Sequence, residues 1–86
     1  MTYYVGSQRS SLRFDSIEPA RAYSIDEIEH GRAPSIYIGE KKLYYGKVRK
    51  TRNGEYRWTG LSKVTYRIDR DGRIIGKVNN KSSRRG

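Results

Sequence analysis

The stretch that decides the fold runs over residues 43–78, LYYGKVRKTRNGEYRWTGLSKVTYRIDRDGRIIGKV. Bulky and polar residues alternate along it, the two-residue period of half-buried strands. Two turn signals, Asn53-Gly54 and Asp71-Gly72, interrupt the alternation. Such dipeptides tolerate the positive φ that a two-residue type I′ turn needs at both central positions. The pattern predicts an antiparallel meander of about four strands.

With Asn53 and Gly54 as the loop, counting outward sets Thr51 against Tyr56, Lys50 against Arg57 and Arg49 against Trp58. One face then carries Tyr45, Lys47, Arg49, Thr51, Tyr56 and Trp58. Rings interleaved with cations are what a sheet needs to stack bases and hold the phosphates between them. The competing expectation for the same residues is that Tyr56 and Trp58 form the core while Lys47 and Arg49 run past them. In the second hairpin Ile68 is set against Ile75 and Tyr66 against Lys77, with Val64, Tyr66, Ile68 and Ile75 as a core face. Asp69, Asp71 and Gly72 match the start of a calcium loop, but no ligating carboxylate follows at the required position, so a turn explains them better.

Charge separates this stretch from the rest. Residues 1–42 hold six Lys/Arg and six Asp/Glu, residues 43–78 hold ten and three, and residues 79–86 hold three and none, so the whole net charge of +10 lies after residue 42. Solubility charge is spread and mixed, whereas charge gathered in one region is the footprint of a polyanion partner. A merely solvated basic face is the plain alternative.

Upstream, residues 2–5, 12–14 and 35–38 are short strand candidates, the last joined to the meander by the four-residue connection 39–42. Ile36 and Ile38 point one way and Tyr37 the other. Between them Ser16 and Pro19 suit a helical first turn. Ser24 with Glu27 forms a capping box, flanked by Tyr23 and Ile28. Gly31 supplies the left-handed stop, with His30 just before it. One or two short helical turns over residues 17–30 are expected.

At 86 residues this is one small domain with a thin core, and eight of its few large apolar residues are tyrosines. There is no cysteine, which excludes disulfides and thiolate zinc sites, and one histidine makes no metal cluster. The N-terminus lacks a signal-peptide pattern and no apolar run approaches a membrane span, so a cytoplasmic location without membrane contact is expected. Phosphate-binding loops, a Ser-His-acid set and carboxylates paired across a cleft are missing, so neither enzyme activity nor a cofactor is expected.

The expected architecture is a mostly β α+β domain over residues 1–78: a small antiparallel meander or partly open barrel of five to six short strands with one short capped helical segment. Residues 79–86 are expected to form a disordered basic tail. The expected function is nucleic-acid binding, RNA or single-stranded nucleic acid ahead of sequence-specific DNA, because no helix is long enough to read a major groove. Lys47, Arg49, Lys50, Arg52 and Arg57 are the first phosphate candidates, with Arg67, Arg70, Arg73 and Lys77 on the later hairpin and Lys81, Arg84 and Arg85 in the tail. Tyr45, Tyr56 and Trp58 are the stacking candidates. Lys50 and Arg57, set face to face, would be relieved by an anion lying between them. The alternative is a small regulator that binds another protein, such as a host enzyme, through exposed Tyr, Trp and Arg, since these residues also dominate protein interfaces. A structural role in a nucleoprotein particle is a third possibility, and the chain is expected to be a monomer or a homodimer.

Overall fold

A computed structural model describes residues 1–7 and 9–78. The expected tail, with Lys81, Arg84 and Arg85, lies outside the described residues. The chain forms β1 (Tyr3–Gly6), β2 (Ser11–Phe14), α1 (Ile17–Glu29), β3 (Ser35–Ile38), β4 (Leu43–Lys50), β5 (Tyr56–Gly60), β6 (Thr65–Ile68) and β7 (Ile74–Lys77). The seven strands make a single antiparallel sheet in the order β2-β1-β3-β4-β5-β6-β7. The fold is mostly β α+β, with seven strands rather than five to six, and the sheet is open rather than closed into a barrel. Its edges are β2 and β7.

The helix is one continuous element, not two short turns. Ile17, Ala20, Arg21, Ser24, Ile25 and Ile28 recur at the three- and four-residue spacing of one face, and that face packs on the sheet. Pro19 falls within the first turn, where no intrahelical N–H is required, so it does not stop the helix. Ser24 is therefore mid-helix rather than an N-cap, its hydroxyl donating to the Ala20 carbonyl at 3.0 Å. The stop is as expected: His30 is the C-cap and Gly31 follows at φ 82°.

Both meander hairpins close with three residues, one more than a type I′ turn uses. Thr51 N–H donates to the Glu55 carbonyl at 2.8 Å, and the Gly54 N–H donates back to Thr51 at 3.0 Å. Asp69 and Arg73 close the second loop in the same way, at 3.0 Å. Only the glycine of each pair is left-handed, Gly54 at φ 86° and Gly72 at φ 81°, while Asn53 and Asp71 keep negative φ. This is a type I turn followed by a glycine bulge.

One added residue changes which side chains share a face. The observed register sets Val48 against Trp58, Arg49 against Arg57 and Lys50 against Tyr56. Trp58 and Tyr56 thus join Val48 on the helix side and leave Lys47 and Arg49 on the other, which corrects the mixed aromatic and cationic face expected from a two-residue loop. In the second hairpin a bulge restores the Tyr66–Lys77 pairing but sets Ile74, not Ile75, against Ile68. Ile75 is exposed rather than core.

The core joins Val5, Ile36, Val48, Tyr56, Trp58 and Ile68 of the sheet to Ala20 and Ile25 of the helix. A β-carbon on Gly46 would strike the Trp58 indole, so this glycine lets the ring lie against the β4 backbone. Arg21, buried, stacks over the same indole at 5.4 Å and donates from Nε to the Gly72 carbonyl at 2.7 Å. Burial lowers the Arg21 pKa, against the pull of Glu18. Through this contact the β6–β7 loop is fastened to the helix.

Candidate functional site

The helix covers one face of the sheet and leaves the other uncovered. Following the register across the strands, Arg13, Tyr4, Tyr37 and Tyr44 stand in one row over β2, β1, β3 and β4. Ser35, Lys47, Thr59 and Thr65 form a middle row. Arg49, Arg57 and Arg67 form a third over β4, β5 and β6, continuing to Gly76 of β7. Arg67 lies over that glycine, where an added β-carbon would come within 2.7 Å of its Nη2. The open face is therefore divided into an aromatic part and a cationic part, with hydroxyls and Lys47 between.

Like charges set directly opposite on neighbouring strands destabilise a sheet by a few tenths of a kcal/mol to about 1 kcal/mol each. Here three arginines stand in line, and none of the seven strands contains an Asp or Glu. Glu55, at the base of its loop, reaches Arg57 Nη2 at 3.3 Å. Asp69, at the base of the other, accepts from the Asp71 and Arg73 amides. Among the described residues no carboxylate comes within ion-pair distance of Lys47, Arg49 or Arg67. Arg57 Nε also finds no acceptor. This row is electrostatically incomplete.

The tyrosines of this face are not among the stacking candidates read from the sequence. Tyr37 and Tyr44 meet edge to face at 6.4 Å, Lys42 Nζ lies 4.8 Å above the Tyr4 ring, and Tyr44 is 48% exposed. For Tyr4 and Tyr37 the signal was their alternation with Val5 and Ile36, which are buried on the other side of the same strands.

The expected stacking residues lie elsewhere. Trp58 and Tyr56 are each 6% exposed, and Tyr45 is half-buried between Tyr3 and Trp58, 5.7 Å from each ring. None of the three turns a ring face to solvent on the open side. Lys50 is on the helix side, donating to Glu29 Oε2 at 3.0 Å, and the Tyr56 hydroxyl donates to the same carboxylate. These two donors, the Tyr56 hydroxyl first, hold Glu29 below the usual carboxylate range, and the carboxylate in turn raises Lys50 and Tyr56. Arg70 packs 5.5 Å from the Tyr56 ring, also on that side. Arg52 and Arg73 are exposed at the two loops, and Lys77, exposed, pairs with Tyr66 at the β7 edge. Of the phosphate candidates within the described residues, the structure gathers Lys47, Arg49, Arg57 and Arg67 on one surface.

No group of three His, Cys, Asp or Glu side chains among the described residues could hold a metal ion, and no helix among them is long and apolar enough to cross a membrane. Compared with protein families, curated proteins and solved structures, the chain has no match in any of the three, so the chemistry of this surface is read from its own residues.

Proposed function

We propose that this chain binds single-stranded nucleic acid, RNA foremost, across the open face of its sheet. The observation that carries the reading is the row Arg49–Arg57–Arg67, aligned across three strands and short of acids. Phosphates lying along it would relieve the repulsion between the arginines, and a base would rest on the exposed Tyr44 ring beside it, with Tyr37 and Tyr4 half-buried behind, since stacking tolerates any base. A duplex is disfavoured, because no recognition helix is free to enter a groove. The alternative of a protein-docking surface loses its strongest anchors, Trp58 and Tyr56, to the core.

Titration against RNA, single-stranded DNA and duplex DNA at several salt concentrations tests the proposal. With Lys47, Arg49, Arg57 and Arg67 each on a phosphate, log K against log salt should fall with a slope of about −3 for a single strand. Binding that is absent at low salt, or indifferent to salt, would overturn it.

A further inference from the structure

Between the tyrosine row and the arginine row the open face sinks into a recess of about 310 Å³, lined by Tyr44, Lys47, Arg49, Thr59, Leu61 and Lys63. That volume is at the small end of the range for ligand sites. Its walls are of two kinds: an exposed ring and an exposed leucine on one part, three cations and a hydroxyl on the other.

Lys63 is the unusual member. It sits in the β5–β6 turn at φ 67°, its N–H donating to the Gly60 carbonyl at 3.1 Å. The left-handed region penalises a side chain with a β-carbon, and glycine or asparagine would fill this place with less strain. Turn geometry therefore does not account for a lysine here. Its position on the rim of the recess does.

We infer that the recess is a single-nucleotide subsite, with a base against Tyr44 and Leu61 and its phosphate among Lys47, Arg49 and Lys63. A bare inorganic anion would leave the ring and the leucine wet, whereas a nucleotide covers both kinds of wall. This rests on the nucleic-acid reading of the open face and goes further, fixing where one nucleotide is held and adding Lys63 to the contacts.

The decisive variant is Lys63→Gly, because the structural and the binding role predict opposite outcomes. Relief of the left-handed strain should keep or raise the melting temperature, while loss of a phosphate contact weakens binding to oligouridine and flattens the salt slope by about 0.7. Lys63→Gln, which keeps the side-chain length, should weaken binding in the same way. Tyr44→Ala should lower affinity about five- to 150-fold, the range for one stacked base. Oligouridine carrying one 5-iodouridine should photocrosslink to Tyr44. Lysine variants with unchanged affinity and slope, or crosslinks confined to Tyr4 and Tyr37, would overturn the subsite while leaving the open-face reading intact. A wild-type chain that binds no oligonucleotide at low salt would overturn both.

Discussion

On the covered face of the sheet Tyr3, Tyr45, Tyr56 and Trp58 join one core with Val48, and two nearby charges have partners: Arg21 the Gly72 carbonyl, Lys50 the Glu29 carboxylate. On the uncovered face Tyr4, Tyr37 and Tyr44 stand in a row at the surface, and Lys47, Arg49 and Arg67 have no acid beside them. The same residue types serve stability on one side and are available to a ligand on the other. What separates them is whether the helix and the β6–β7 loop supply the complementary group.

Matched substitutions sharpen this contrast. Trp58→Ala empties the space under Arg21 and should cost about 3 to 5 kcal/mol in denaturant unfolding, against less than about 1 kcal/mol for Tyr44→Ala. A Tyr44 variant that unfolds as readily as the Trp58 variant would erase the distinction. Fluorescence gives a companion measurement: Trp58 emission should be blue-shifted and indifferent to added nucleic acid, because 6% exposure leaves no ring face to quench.

The arginines form the next pair. Arg21→Ala leaves the buried Gly72 carbonyl without its donor and should destabilise by about 1 to 3 kcal/mol. Arg67→Ala removes a like charge facing Arg57 and should raise stability by a few tenths of a kcal/mol to about 1 kcal/mol, while reducing the salt slope of nucleic-acid binding by about 0.7. An Arg67 variant that loses stability would show the row to be structural.

The smallest effect is on pH. Glu29 titrates below its ordinary value in the fold, so its contribution is complete above the unfolded carboxylate pKa of about 4.3 and is lost as pH falls through the lower folded value. Glu29→Gln should flatten the acid limb of a stability-against-pH curve. Replacing Lys47 or Arg49 should leave that limb unchanged, because neither faces a carboxylate.

How far the sequence reveals this arrangement follows from one loop. Alternation in residues 43–78 predicts the strands, and the two glycine pairs predict the hairpins. The pairs do not say whether the glycine ends a two-residue or a three-residue loop, and that parity decides the neighbours of Trp58. Arg49, Arg57, Arg67 and Lys47 were readable as phosphate candidates from charge alone. Tyr4, Tyr37 and Tyr44 were not, because alternation separates the two sides of a strand without saying which side the helix covers. The continuous helix was missed for a related reason: a capping-box pattern inside a longer helix looks the same as one at its start.

The bond from Arg21 to Gly72 joins positions 51 residues apart, and this bears on the order of events during synthesis. A chain leaving the ribosome presents the helix and the first three strands long before Trp58 and Gly72 exist. Until then Arg21 has neither the indole nor the carbonyl that it is buried against. The N-terminal half therefore cannot reach its final packing alone, because the groups that Arg21 is buried against are supplied by residues 58 and 72.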